Sequence, residues 1–371
     1  MRAYRWVLAK LHEEDMKIYI IGIDMSSAFD TIDREKLVEI VESFLDEDEA
    51  RIVRRLLSNT TLEVRVKDAV TTPFISNIGS PQGGSISGPL FEIYFENSLK
   101  KVRAEIEEFE VREEVVKGDT SMPEEMIYAD DCDFITAQER TKQFINNNAD
   151  RILLQDNLLV NTDKTENTTL ERHSGKDGTE KELWRKVKKL GSLLGDRQDI
   201  ARRKQLSNNS LHKFSEIWNR YKVKMKKKVQ LYGALVKSIL TYNCGTWGMS
   251  KTDEDKFDSF HRQQLRHTLN IKYPHKIRSK QLYTITNTHP ISADIARARW
   301  RMLGHTLRMK ENTPARRAMK FFFENTGGKK FRGKKRTTIV TTINNDIERT
   351  KKKFPLFDIK PLKSLLDLHN A

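Results

Sequence analysis

The sequence predicts an α+β fold, with an antiparallel sheet and packed helices followed by a helical, strongly basic C-terminal region. Three observations carry this. The run "IYIIGI" (18–23) is apolar and β-branched, and it leads into helical periodicity. The stretch "MIYADDCDFI" (126–135) reads as a strand, a tight turn and a second strand. Beyond residue 195 strand patterns cease and basic helical patterns take over.

After the first strand, Leu37, Ile40, Val41, Phe44 and Leu45 fall on one helical face, and Asp33 is placed to cap that helix. A second helix starts near Asp46 in "DEDEARIVRRLL". "LEVRVKDAVTTPFIS" alternates in the manner of a hairpin. A Gly/Ser-rich loop then enters a long helix, "GPLFEIYFENSLKKVRAEIEEF", with Pro89 in its first turn. "VREEVVKGDTSMPEE" is a polar connection. After the strand pair at 126–136, "TKQFINNNADRILLQDNLLV" is helical and "ELWRKVKKLGSLLG" is another strand pair. Leu211, Phe214, Trp218 and Tyr221 share a face in the next helical stretch. From Lys251 basic helices alternate with short loops, and "GGKKFRGKKR" (327–336) reads as a mobile basic loop. No internal repeat is visible.

The chain has 371 residues, room for two or three domains. Its net charge of +15 is unevenly spread: 20 basic against 35 acidic residues up to Glu171, then 47 against 17. That asymmetry points to a polyanion held by the second half. Nucleic acid is the first candidate and an anionic membrane surface the second; a merely soluble basic surface is the plain alternative. Cys132 and Cys244 form neither a disulfide framework nor zinc-ligand spacing. The first residues carry charges throughout, unlike a signal peptide, and no run of 18 apolar residues suggests a membrane span. An intracellular protein, nuclear or cytoplasmic and without a membrane partner, is expected.

Ionised acids inside the apolar run 126–135 are costly unless something compensates them. Asp24 ends one strand, and Asp130 and Asp131 sit at the turn between two others. If these strands are neighbours, the carboxylates converge at one end of a sheet. Such oxygen ligands suit Mg²⁺, which takes one or two carboxylates plus waters and substrate phosphates. Two such ions serve phosphoryl transfer. A lone aspartate at a strand end is otherwise a turn former or helix cap, the reading given to Asp30 and Asp33.

The motif order makes a resemblance specific. "IGIDMSSAFDTIDREKL", "GSPQGGSISGPLFEIYFENSL", "IYADD", "NTDKTE" and "VKKLGSLLG" resemble, in order and spacing, the reverse transcriptase motifs of non-LTR (LINE-type) retrotransposons. "LTYNCGTW", "FHRQQLRHTLNI" and "RARWRMLGHTLRM" resemble segments found downstream of the polymerase in such elements. The resemblance implies a right-hand polymerase palm with partial fingers over 1–195, a helical thumb over 196–250 and a basic helical region over 251–371.

It also implies roles. Asp24 and Asp130 are the shared metal ligands, with Asp131 beside them and the Met25 carbonyl as a further ligand, for Mg²⁺ with Mn²⁺ able to substitute. Phe29 lies under the sugar of the incoming nucleotide and excludes a 2′-OH. Gln82 and Gly83 contact nucleotide and template. Lys164 serves the leaving pyrophosphate. Leu190 and Gly191 hold the primer end, and Tyr128 packs near the primer–template. Lys222, Lys224, Lys226, Lys227 and Lys228 follow the phosphates of an RNA–DNA hybrid. Trp300, among Arg297, Arg299 and Arg301, is either a nucleic-acid grip or a core anchor. Trp218 and Tyr221 are expected in the thumb core, and His261, His267 and His305 are expected to be structural.

The implied partners are an RNA template, a DNA primer and dNTPs. The family's full product normally carries an endonuclease domain and more of the fingers than the short stretch before Asp24 supplies. A catalytically inactive remnant that only binds nucleic acid is therefore the rival reading. A group II intron maturase is a further one.

Overall fold

The computed structural model describes residues 1–14, 16–80, 84–115, 122–171, 183–324 and 337–353. Two compact units divide the chain: 16–172, and 1–15 together with 173–371. The chain begins with helix α1 (Arg2–Glu14), which the sequence reading did not anticipate and which groups with the second unit.

In the first unit the run Ile18–Ile23 forms strand β1, and all six of its residues are buried. A strand covered on both faces needs a continuous apolar run, which "IYIIGI" supplies. Strand β2 (Met25–Ser26) follows at once. Helix α2 (Arg34–Glu42) starts where expected: the Asp33 carboxylate accepts the Glu35 and Lys36 amides. Helix α3 (Glu47–Leu57) is capped by Asp46 in the same way. The predicted hairpin is built from β3 (Thr60–Leu62), β4 (Arg65–Val66), β5 (Ala69–Val70) and β6 (Phe74–Ser76), with β3 pairing β6 and β4 pairing β5. Helix α4 (Ser87–Arg112) has Pro89 in its first turn.

Strands β7 (Glu125–Tyr128) and β8 (Asp131–Thr136) form the second hairpin. Helix α5 (Glu139–Leu154) ends earlier than its pattern suggested. Asn157 adopts a left-handed conformation (φ 54°), and Leu159–Val160 then extend as β9 to pair with β2. Strand β10 (Glu166–Leu170) completes a four-stranded antiparallel sheet in the order β10-β1-β8-β7. Tyr19, Ile21, Ile23 and Phe134 from the sheet share one core with Phe91, Phe95 and Leu99 of α4 and Ile145 and Ile152 of α5.

Two buried charges hold this unit's polar connections. Asp156, 1 % exposed, binds Lys36 of α2 at 2.9 Å and Lys101 of α4 at 2.7 Å. Tyr94 donates to the Asp156 carbonyl. Burial alone would raise the Asp156 pKa, but the two ammonium groups outweigh it and hold it below the ordinary 3.8. Arg34, 6 % exposed, donates to the carbonyls of Gly79 (2.6 Å), Leu57 (2.8 Å) and Ser76 (2.7 Å) and to the Thr60 hydroxyl (2.8 Å). A single guanidinium thus ties α2, the end of α3, the hairpin and the segment before residue 81.

The second unit contains the hairpin β11 (Lys188–Lys189) and β12 (Ser192–Leu193), preceded by a 3-10 turn at Leu183–Lys186. Helices follow: α6 (Asp196–Lys213), α7 (Ser215–Asn219), α8 (Met225–Tyr232), a π-helical turn at Gly233–Lys237, α9 (Ser238–Leu240), α10 (Lys251–Thr268), α11 (Ser279–Thr286), α12 (Ile291–Leu307), α13 (Pro314–Glu324) and α14 (Ile339–Lys353). Helix α1 packs on α13, with Trp6 6.2 Å from the Phe321 ring and Arg317 over Trp6. The division falls at residue 172, whereas the sequence reading drew its line at 195. The hairpin at 188–193 groups with the helices because α6 binds it through Asp199, Arg202 and Arg203. The basic loop expected at 327–336 lies outside the described residues.

Two outcomes test this scaffold. Asp156→Asn should lower stability in urea unfolding by about 1.5–3 kcal/mol at neutral pH, the range for hydrogen bonds to charged groups. Because the folded pKa is depressed, the carboxylate's contribution is present above 3.8 and is lost as pH falls through the lower folded value. The gap between wild type and Asp156→Asn should therefore close in acid; a gap that persists there refutes the ion-pair assignment. Arg34→Ala should cost about 2–4 kcal/mol by stranding several acceptors at once, with Arg34→Lys restoring only part. An Ala variant as stable as wild type would remove Arg34 from the scaffold.

Candidate active site

Asp24 stands where the chain changes partners. Ile23 is the last residue of β1 and pairs with Cys132; Gly22 pairs with Glu166 on the other side. Asp24 lies one residue beyond the β1–β8 ladder, and continuing that register by one step would set it opposite Asp131, the first residue of β8; the pairing with β10 ends earlier, at Gly22. Directly opposed residues in antiparallel strands sit about 4.5–5.5 Å apart at Cα and share a face. Met25 then leaves the sheet to pair with Val160. The Asp24 carbonyl accepts the Asn161 amide at 2.8 Å, and its carboxylate lies 3.6 Å from the Lys164 ammonium.

The Lys164 turn is built by Asn161. Its side-chain oxygen accepts the Lys164 amide at 3.2 Å, and its carbonyl accepts the amides of Lys164 and Thr165. Sequence reading did not single out Asn161, although Asn followed by Thr-Asp-Lys is a turn signal.

The other acids are set by the β7–β8 hairpin. Tyr128 pairs with Asp131, so Ala129 and Asp130 are the two central turn residues. Ala129 has φ 54° and Asp130 has no positive φ, the sign pattern of a type II′ turn. Glycine is the usual residue at that first position, so alanine holds a strained backbone there. Arg103 of α4 braces β7 by binding Glu125 at 2.8 Å and Glu96 at 2.7 Å. Asp130, Asp131 and Tyr128 are exposed, Tyr128 at 68 %. The buried acid of the run is Asp133, 5 % exposed.

Phe29 is half-buried and stacks on Phe91 of α4, ring centroids 4.3 Å apart. Its carbonyl accepts the Ser80 amide at 2.7 Å, and the Ile32 carbonyl accepts that of Gly79 at 2.8 Å. Gly79 has φ 74°, and a Cβ there would meet the Asp30 carbonyl at 2.9 Å. The loop carrying Phe29 is thus pinned to the segment that leads into "PQGG". Gln82 and Gly83 lie outside the described residues.

In the second unit Leu190 (φ 46°) and Gly191 (φ 74°) form the two-residue turn between β11 and β12, the type I′ pattern. The turn is clamped from behind. Arg202 donates to the Gly191 carbonyl at 3.0 Å, Arg203 bonds the same oxygen, and the Tyr242 hydroxyl donates to the Leu190 carbonyl at 3.1 Å. The fully buried Asp199 accepts from the Leu193 amide and the Trp247 indole. Arg203 lies in no quoted motif, and Tyr242, although within "LTYNCGTW", was not singled out; the partners of both are backbone carbonyls outside their local sequence.

The basic helices meet expectation at some positions and depart from it at others. Lys222, Lys224, Lys226 and Lys227 are exposed, but Lys228 is buried and donates to the Trp218 carbonyl at 2.5 Å, which takes it away from any phosphate. Trp218 is core, whereas Tyr221 is 88 % exposed because α7 ends at Asn219 and the helical face does not continue. Trp300, half-buried, packs on a core of Leu303, Met319 and Phe323, as its core-anchor reading has it, and Arg299 is buried against Asp346 and withdrawn from any phosphate. His261 is buried and pushed down to about 3 by burial and then by Lys237, which keeps it neutral.

A divalent cation fits the first-unit edge in one manner only. Among the described residues no group of three or more His, Cys, Asp or Glu converges closely enough to hold an ion alone. Asp24 and Asp131, with Asp130 adjacent, supply the one or two carboxylates that Mg²⁺ takes when water and substrate phosphates complete its shell. Among the described residues no helix is long and apolar enough to cross a membrane.

No curated protein matches the chain in sequence. Among solved structures, telomerase from Candida tropicalis in complex with a TWJ fragment of telomeric RNA is 14% identical, covering 85% of this chain and 51% of that one, with a TM-score of 0.40. Apo telomerase from Candida tropicalis is 13% identical over 85% of this chain and 55% of that one, with a TM-score of 0.39. Its form truncated from the C-terminal domain is 19% identical over 47% and 35%, with a TM-score of 0.37. The chain thus spans about half the length, or less, of the solved chains it resembles. Residues 2–230 match the family model described as reverse transcriptase (RNA-dependent DNA polymerase), which is more than half of the sequence, and the chain belongs to that family.

Proposed function

We propose that this chain is the RNA-directed DNA polymerase core of a LINE-type retrotransposon, extending a DNA primer on an RNA template with dNTPs. The observation that carries this is Asp24 at the end of β1, its carboxylate 3.6 Å from the Lys164 ammonium, beside the strand β8 that begins at Asp131. The primer 3′-hydroxyl attacks the α-phosphate and pyrophosphate leaves. Asp24, Asp130, Asp131 and the Met25 carbonyl would hold Mg²⁺ or Mn²⁺. When bound, the cation supplies positive charge to the attacking and leaving oxygens.

The chain's own groups do the remaining work. The Lys164 ammonium stands 3.6 Å from the Asp24 carboxylate and is exposed, so it can swing to the negative charge that develops on the pyrophosphate. Phe29, held by its stack on Phe91, presents a rigid edge against which a 2′-hydroxyl would clash. The Leu190–Gly191 turn, clamped by Arg202, Arg203 and Tyr242, supports the primer end as a stiff hairpin. Tyr128, exposed beside the acids, offers a ring face to the primer–template.

Primer extension on poly(rA)/oligo(dT) with Mg²⁺ or Mn²⁺ tests this. Wild type should extend, and Asp24→Ala or Asp130→Ala should reduce the rate by at least about 10²-fold, as for loss of an electrostatic stabiliser. No extension by folded wild-type protein that still binds RNA would sink the polymerase reading in favour of a binding-only remnant. Phe29→Ala should gain ribonucleotide incorporation in the same assay; unchanged sugar selectivity would refute the steric role.

A further inference from the structure

A cleft in the second unit has no part in the polymerase reading. It encloses about 400 Å³ between the π-helical turn with α9 and helix α12. That volume lies in the range of small-ligand sites, large enough for a nucleotide unit. Lys237, Arg297 and Arg301 bring three cations to it and Asp294 one carboxylate. Cys244, buried, is part of its floor.

The charges are arranged, not merely adjacent. Asp294 lies 2.5 Å from the Lys237 ammonium, 3.1 Å from an Arg297 guanidinium nitrogen and 2.7 Å from His289 Nε2. One carboxylate therefore fixes two of the cations in place and neutralises one, leaving an excess of +2 over Lys237, Arg297, Arg301 and Asp294. Arg297 and Arg301 stand four residues apart on α12, a like-charge spacing that weakens a helix unless an anion bridges it. Among the described residues no hydrogen bond or ion pair engages Arg301. The Ser238 and Thr241 hydroxyls are committed to the carbonyls of Ala234 and Lys237, so the cations alone are left to bind.

We propose that this cleft seats a backbone phosphate of a nucleic-acid strand, outside the polymerase site. Two guanidinium forks match the paired oxygens of a phosphodiester, and a rigidly held ammonium completes the cradle. A strand is favoured over a free anion because the residues after Glu171 carry 47 basic against 17 acidic side chains, an excess suited to an extended polyanion.

The test is anisotropy of a labelled single-stranded RNA oligonucleotide titrated with the full chain, without dNTPs, over a series of KCl concentrations. Arg301→Gln, which removes no internal partner, should weaken binding and make the plot of log affinity against log salt shallower by about 0.7, the single-strand value per phosphate contact. Arg297→Gln with Arg301→Gln should double that change, and Arg301→Lys should restore most of the slope. A slope unchanged in Arg301→Gln, with thermal unfolding also unchanged, would overturn the proposal. So would a wild-type advantage abolished by millimolar inorganic phosphate or ATP at constant ionic strength, since the cleft would then be a site for free phosphate. Asp130→Ala should keep the full slope, which separates this result from failure of the polymerase reading.

Discussion

Everything at the candidate active site depends on the register between β1 and its two neighbours. Side chains alternate along a strand, so a slip of one residue would carry Asp24 to the opposite face and put Cys132 or Asp130 in the place of Asp131. The register is secured by burial. All six residues of β1 are buried, and Phe134 and Ile135 beside them expose 3 % each. Sliding the strand would expose several of these side chains, at about 1.5–3 kcal/mol apiece. The carboxylates add nothing to that adhesion. They sit where the ladder ends, so the sheet bears their mutual repulsion without having to bury them.

The loops around this edge are held by buried polar anchors. Arg34 gathers four oxygens, and Asp156 gathers two ammonium groups. Backbone carbonyls in loops lack ladder partners, and a guanidinium with five donors can satisfy several at once. The segment entering "PQGG" needs such help, since Gly79 is already in a left-handed conformation against Asp30. The same device recurs in the second unit, where Arg203 and Tyr242 hold the Leu190–Gly191 turn from behind. In both places a polar side chain from another element stiffens a turn by holding its carbonyls.

What the sequence disclosed follows from what is local. The strand 18–23, the caps Asp33 and Asp46, the hairpin at 126–136 and the turn at 190–191 all depend on neighbours within a few residues, and the structure has them there. The adjacency of Asp24 and Lys164 was legible only through motif order, because the residues are far apart in sequence and meet through sheet pairing. Arg34, Arg203 and Tyr242 were missed for a related reason: a polar side chain that serves backbone oxygens outside its local sequence leaves no periodic trace. The overlong reading of α5 has another cause. "QDNLLV" continues the apolar spacing, but Asn157 turns left-handed and the strand pairing of β9 with β2 wins over local periodicity.

The charge excess of the second half also needs resolving into residues. Lys228, Arg203 and Arg299 are spent inside the unit, on Trp218, on the Gly191 turn and on Asp346. Each is nearly inaccessible and cannot release a counterion from a phosphate. Lys222, Lys224, Lys226 and Lys227 face outward, as do Arg297 and Arg301. Formal charge therefore overstates the polyanion surface. Two kinds of cation remain: lysines on flexible stems, which follow a backbone without fixing it, and the arginines of the α12 cleft, one of them held by a carboxylate. The first kind supplies attraction that salt screens uniformly. Of the second kind, Arg297 is held in place by Asp294, which gives it the geometry the free lysines lack.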